Sequence, residues 1–162
     1  MLTAGSQPYI YVFDRNGYLK WRYRTGGNVR SVSWSPDGTL LAAGSVDNYI
    51  YVFDKSGLLK WRYQTGSVYS IDWSSDSELL AVGTGWPDYS IYVFSRNGQL
   101  KWQYKIGYYI YSIAWSLDSE LLAAGSWNNH VYVFDRNGYL KWHYRQEALF
   151  AWLHGVQIAH YL

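Results

Sequence analysis

The chain has 162 residues, of which 49% are hydrophobic, 20% aromatic and 16% charged, with no cysteine and a formal net charge of +2. That aromatic load excludes a disordered chain, and the lack of cysteine excludes a disulfide scaffold, a thiolate metal site and a cysteine nucleophile together. No apolar run approaches the ~20 residues of a membrane helix, and the N-terminus lacks a charged segment followed by a long apolar one; no membrane partner is expected, and the expected location is cytoplasmic. A charge this small gives no argument for a nucleic-acid partner.

A period near 40 residues organises the chain. Phe13, Phe53, Phe94 and Phe134 stand 40, 41 and 40 residues apart, and Trp21, Trp61, Trp102 and Trp142 keep the same step. Such a period means that one supersecondary unit has been copied and that the copies bury each other's faces. In chain order, residues 2–24 form a unit lacking its first part, and full units follow at 29–65, 68–106 and 110–145. Residues 146–162 fit the repeat poorly.

The first full unit reads as four strands. Residues 29–34 make one, and Ser35-Pro36-Asp37-Gly38 turns the chain. Leu40-Leu41-Ala42-Ala43-Gly44 is small and apolar throughout, which suits a crowded inner strand. After the Asp47-Asn48 turn, Tyr49-Ile50-Tyr51-Val52-Phe53 is β-branched and aromatic on both faces, as in a strand covered on both sides. Beyond Lys55-Ser56-Gly57, Leu59, Trp61 and Tyr63 alternate with Lys60, Arg62 and Gln64, giving a strand with one wet face. Leu100, Trp102 and Tyr104 against Lys101, Gln103 and Lys105 repeat that alternation. Four antiparallel strands in about 40 residues make one blade of a β-propeller. The expected fold class is therefore all-β, with about four four-stranded blades in a single domain.

The segment Ser35-Pro36-Asp37-Gly38, Leu41-Ala42-Ala43-Gly44-Ser45, Asp47 and Ile50-Tyr51-Val52-Phe53-Asp54 resembles the tryptophan–aspartate (WD) repeat. Two features depart from it. The usual Gly-His pair is absent, and the signature Trp-Asp is Phe-Asp at residues 13, 53 and 134 and Phe-Ser at residue 94. The run Asn16-Gly17-Tyr18-Leu19-Lys20-Trp21-Arg22-Tyr23 is also similar to the Trp-bearing repeats of pyrroloquinoline-quinone-type propellers. The resemblance implies the fold over residues 2–145 and says little of function, because both superfamilies host many activities.

Labelled a to d from the inside outward, the strands run b-c-d and then three full sets, one strand short of four blades. WD propellers commonly close by completing a blade begun at one terminus with a strand from the other. Ala148-Leu149-Phe150-Ala151-Trp152 is a candidate for the missing strand a, and an amphipathic helix over the same tail is the competing reading. WD-like wedges usually fill rings of six to eight, so four of them suggest a homodimer that forms an eight-blade ring. A closed four-blade monomer and a piece of a longer array are the alternatives.

The polar residues recur with the repeat, which points to structural duty. Asp37, Asp76 and Asp118 share one turn position; Asp14, Asp54 and Asp135 share another, where a carboxylate accepts turn amides. Asp72 breaks the pattern, and a carboxylate there could face the central channel. The four histidines, His130, His143, His154 and His160, do not cluster, and the spacing of His154 and His160 matches no common zinc motif; the glycines stand singly rather than in a phosphate loop. Nine of the fourteen basic residues lie on strand d or at its end, where lysine on an edge blocks pairing with other molecules. No catalytic residue, metal site or cofactor is expected.

Aromatics in the b–c loops break register. Trp86 and Trp127 occupy two of these loops, which in WD-like propellers share a face with the start of strand a, here Arg30, Tyr69 and Tyr111. The resemblance implies that this face binds peptides and proteins, and exposed Trp, Tyr and Arg are hot-spot residue types. The leading expectation is a non-enzymatic scaffold that presents Arg30, Tyr69, Trp86, Tyr111 and Trp127 to a protein or peptide. A multivalent carbohydrate-binding propeller is the rival, and a quinoprotein-like enzyme would need a calcium site and a cofactor cradle absent from the sequence. An engineered or truncated array without native function is the remaining alternative.

Overall fold

A computed structural model describes residues 1–146. The candidate closing strand Ala148 to Trp152, with His154 and His160, lies outside the described residues. Fifteen strands follow one another in chain order. β1 (Leu2–Ser6), β2 (Tyr9–Phe13) and β3 (Leu19–Arg24) form the first sheet. β4 (Val29–Trp34), β5 (Leu40–Ser45), β6 (Tyr49–Asp54) and β7 (Leu59–Gln64) form the second. The third comprises β8 (Val68–Trp73), β9 (Leu79–Thr84), β10 (Ser90–Ser95) and β11 (Leu100–Lys105). The fourth comprises β12 (Ile110–Trp115), β13 (Leu121–Ser126), β14 (His130–Asp135) and β15 (Leu140–Arg145). Every neighbouring pair is antiparallel.

Because strand side chains alternate between faces, each inner sheet supplies residues to two cores. Ile10 and Val12 of the first sheet pack against Leu41, Ala43, Tyr51 and Phe53 of the second. The second sheet's other face, with Ala42, Ile50 and Val52, packs against Val68, Ile71, Trp73, Leu80 and Phe94 of the third. Ala81, Ile91 and Val93 then meet Ile113, Trp115, Leu122 and Phe134 of the fourth. Three layers of apolar side chains thus join four sheets. Phe53, Phe94 and Phe134 are each fully buried at these seams, and burial of such a side chain stabilises by about 1.5–3 kcal/mol.

The repeated phenylalanine receives two aromatic rings from the sheet before it. Trp21 and Tyr23 stand 5.5 and 4.8 Å from Phe53, Trp61 and Tyr63 stand 5.7 and 4.8 Å from Phe94, and Trp102 and Tyr104 stand 5.6 and 4.9 Å from Phe134. The alternation expected of strand d holds in β7 and β11, whose Lys, Arg and Gln side chains face water. It fails in β15, where every residue is exposed. The sequence pattern there is the same, but among the described residues no further sheet lies against Trp142 and Tyr144.

The turn carboxylates act as expected. Asp14, Asp54 and Asp135 each accept two backbone amides of their own c–d turn, at 2.8–3.1 Å. Asp37, Asp76 and Asp118 each take a serine hydroxyl at 2.6 Å and an amide two residues on at 3.0 Å. The Ser35 hydroxyl and Thr39 amide hold the Asp37 carboxyl well below the usual carboxylate range.

Candidate binding face

The a–b and c–d turns lie at one end of the stacked sheets; the b–c loops and d–a connections lie at the other. Carboxylates brace that second end. Asp47 accepts the Gly26 amide at 2.6 Å, the Tyr49 amide at 3.1 Å and the Tyr51 hydroxyl at 2.8 Å. Asp88 repeats the device with the Gly66 amide, the Thr84 hydroxyl and the Tyr92 hydroxyl. Burial, with the neighbouring carboxylate, pushes the Tyr51 and Tyr92 phenols far above their ordinary value. In the fourth sheet Asn128 stands at this position and donates to the Tyr132 hydroxyl at 2.7 Å.

Arg30, Tyr69 and Tyr111 reach this face for one backbone reason. Strands β4, β8 and β12 pair with β5, β9 and β13 through a register shift between Val29 and Ser31, Val68 and Ser70, and Ile110 and Ser112. The skipped residue has no pairing partner, and a bulge of this kind re-aims its side chain. The three therefore leave the sheet plane at equivalent places on one end.

Four of the five expected residues come together there. The Arg30 guanidinium lies 5.2 Å from the centre of the Tyr69 ring, a cation–π distance. Tyr69 meets Tyr111 edge to face at 5.4 Å, and Tyr111 lies 5.8 Å from Trp127. The hub is a residue that sequence reasoning missed. Tyr109, in the connection before β12, stacks on Tyr111 at 5.9 Å and touches Tyr69, Tyr89 and Trp127 at 5.2–5.4 Å. Gly85 floors the cluster, because a Cβ there would overlap both Tyr109 and Tyr69. Trp86 is 61% exposed at the tip of its loop and makes none of these ring contacts.

The cluster is open to solvent on its outer side: Trp127 is 63% and Tyr111 45% exposed. Burial and the neighbouring phenols of Tyr69 and Tyr109 raise the Tyr111 pKa above its ordinary value. The group offers apolar ring faces, hydroxyls and one fixed cation, with no paired nucleophile and base among its members. Asp72 does not face a channel as a free carboxylate. Its Oδ2 accepts the Trp115 amide of the next sheet at 2.8 Å, and burial raises its pKa.

The histidines require one correction. His130 and His143, read from the sequence as unclustered, lie on adjacent strands with ring centres 5.5 Å apart. They form a pair beside Tyr132, and no group of three or more His, Asp or Glu able to hold a metal occurs among the described residues.

Comparison with known proteins agrees with this architecture. The WD domain, G-beta repeat family matches residues 19–54, and the anaphase-promoting complex subunit 4 WD40 domain family matches residues 71–147. No curated protein matches the sequence. Among solved structures, Sqt1 of Chaetomium thermophilum is similar at 24% identity and a TM-score of 0.77 over 88% of this chain and 43% of that one. A chain of the mitotic checkpoint complex is similar at 21% identity and a TM-score of 0.82, over 90% of this chain and 49% of that one. Sqt1 has also been solved bound to the N-terminus of the ribosomal protein L10, and that chain matches at 24% identity and a TM-score of 0.76 over 88% of this chain and 45% of its own. The chain spans less than half the length of these structures. Family matches, strand order and the repeated seams agree: the chain belongs to the WD-repeat β-propellers.

Proposed function

We propose that the protein is a non-enzymatic scaffold that binds a protein or peptide segment on the face holding Arg30, Tyr69, Tyr109, Tyr111 and Trp127, with Trp86 at its margin. The carrying observation is the convergence of five exposed or half-exposed rings and one guanidinium from three sheets onto one patch. Rigid aromatic side chains give large contact area at low entropic cost, and Arg, Tyr and Trp dominate hot spots. The complex of Sqt1 with a ribosomal-protein N-terminus supports a peptide as ligand. In this reading the working unit is a homodimer.

A multivalent glycan binder requires one equivalent platform per blade. Here the equivalent positions carry Arg30, Tyr69 and Tyr111, and the rings merge into one cluster. That inequality favours the single peptide site. A displayed peptide library beside a glycan array tests the choice. Selection of peptides whose binding is lost in Tyr109→Ala supports the scaffold, and binding of simple sugars with one equivalent site per blade overturns it.

A further inference from the structure

We propose that two copies of this chain join head to tail, the outer face of the fourth sheet of one copy seating against the outer face of the first sheet of the other. The proposal deepens the homodimer reading and is independent of what the aromatic cluster binds.

Each internal seam is built in the same way. The indole N–H groups of Trp21, Trp61 and Trp102 donate to the carbonyls of Lys55, Arg96 and Arg136 in the following sheet, at 3.0–3.1 Å. Those indoles lie on Gly57, Gly98 and Gly138, where an added Cβ would come within 2.6–2.8 Å of the ring. At the second and third seams a charge returns the contact. Arg96 reaches back to Asp37 at 2.9 Å, and Arg136 to Asp76 at 2.6 Å.

Among the described residues, the two outermost sheets, the first and the fourth, carry the halves of a further seam. Trp142 occupies the indole position of the fourth sheet but is 48% exposed, with no acceptor for its N–H among the described residues. Asp118 occupies the carboxylate position and is held within its own turn by Ser116 and the Glu120 amide. At the other end, Arg15-Asn16-Gly17 repeats Arg136-Asn137-Gly138 residue for residue. Gly17 has the same left-handed φ, and a Cβ there would meet nothing within 4 Å. Among the described residues, the fourth sheet thus presents an indole with no glycine seat against it and an aspartate with no arginine on it. The first sheet presents the matching glycine turn with an arginine beside it.

The surrounding faces match as well. Val131 and Tyr144 flank Trp142 as Ile50 and Tyr63 flank Trp61 at a filled seam. Tyr11 and Phe13 of the first sheet stand where Tyr51 and Phe53 receive the preceding sheet. Because seat and indole belong to one polypeptide, a second copy is the occupant that satisfies both ends at once. A twofold axis makes two identical seams and covers the outer faces of the first and fourth sheets in both copies, giving eight described sheets, at the upper end of the range for propellers.

Light scattering with single-face variants tests this. The wild type is expected at twice its 18.9 kDa chain mass, unchanged on dilution through the micromolar range. Trp142→Glu disables one face and Gly17→Val the other, so each alone is expected near the chain mass with an unchanged strand signal in circular dichroism. Mixing the two variants restores one intact seam, and a heterodimer is expected. If Gly17→Val fails to fold, Arg15→Glu replaces it; that variant alone should weaken association roughly tenfold, since an exposed ion pair contributes modestly. A wild-type monomer, a mixture that does not associate, or a ladder of higher multiples would each overturn the closed pair. Loss of peptide binding with the dimer intact would count against the aromatic site alone.

Discussion

Trp61 donates its indole N–H to the carbonyl of Arg96 at 3.0 Å, across the seam between the second and third sheets, while its ring packs 5.7 Å from Phe94. One side chain therefore fills a core and satisfies a backbone acceptor. Trp61→Ala and Trp102→Ala should each cost about 3–5 kcal/mol, the range for large aromatics lost from packed positions. Lys60 and Lys101 point away from the seams, and alanine there should change stability by less than about 0.5 kcal/mol. Urea denaturation of the four variants checks the contrast; comparable losses at both kinds of position would contradict the two-faced strand.

Much of this was legible in the sequence because a seam is coded by residues in register. Phe53, Trp61 and Gly57 recur with the same spacing, and each copy meets the same neighbour. Trp142 misleads for the same reason: its burial depends on a following sheet, which a single unit does not encode. The bulge that re-aims Arg30, Tyr69 and Tyr111 leaves no mark in apolar periodicity, because it follows from pairing between strands. Tyr109 did leave a signal, since its counterparts are Asn28 and Ser67. The test that singled out Trp127, an aromatic out of register in a loop, would have found it. Trp86 passes that test too, but its ring is 61% exposed and makes none of the cluster's ring contacts.

Asp72 predicts a pH effect of definite sign. Burial raises its pKa above the unfolded value of about 3.9, so the folded state binds the proton more tightly than the unfolded chain. Its contribution is fully present below the unfolded pKa and is lost as pH rises through the folded value. Asp72→Asn keeps an acceptor for the Trp115 amide and removes the ionisation. The variant should gain stability relative to wild type between pH 4 and pH 7. Thermal unfolding at those two pH values measures the difference, and an offset independent of pH would refute the assignment.

Tyr109 tests the binding face. It joins rings of the third and fourth sheets but is not part of the buried core between them, so Tyr109→Ala should weaken a selected peptide by about 2 kcal/mol while changing stability by less than about 1 kcal/mol. Trp86→Ala should weaken the same peptide by less than about 0.5 kcal/mol, because that ring stands clear of the cluster. Calorimetric titration of both variants compares them directly; equal losses would extend the site to the loop tip.

Asp88 ties three elements together. Its carboxylate accepts from the Gly66 amide, the Thr84 hydroxyl and the Tyr92 hydroxyl. Truncation strands several donors at once, and each buried donor left without a partner costs about 1–3 kcal/mol. Asp88→Ala should therefore destabilise by about 3 kcal/mol or more. Asp88→Asn should cost less, because Asn128 already fills the same position in the fourth sheet. Chemical denaturation of the pair separates loss of the hydrogen bonds from loss of charge.

The last prediction compares two glycines with nearly the same backbone. Gly17 and Gly98 have φ of 84° and 86°, a region that costs other residues about 1 kcal/mol. A Cβ on Gly98 would also lie 2.8 Å from the Trp61 ring, whereas one on Gly17 meets nothing within the chain. Gly98→Ala should thus lose the strain energy and a further ~1–3 kcal/mol from forcing the indole off its seat. Gly17→Ala should lose only the strain in the folded subunit, together with part of the association free energy where a second copy's Trp142 fills that seat. Unfolding followed at two protein concentrations distinguishes the two losses. The Gly98 deficit should be the same at both, and the Gly17 deficit should change with concentration. If the two variants behaved alike at every concentration, the indole seat would not be what selects glycine at these turns.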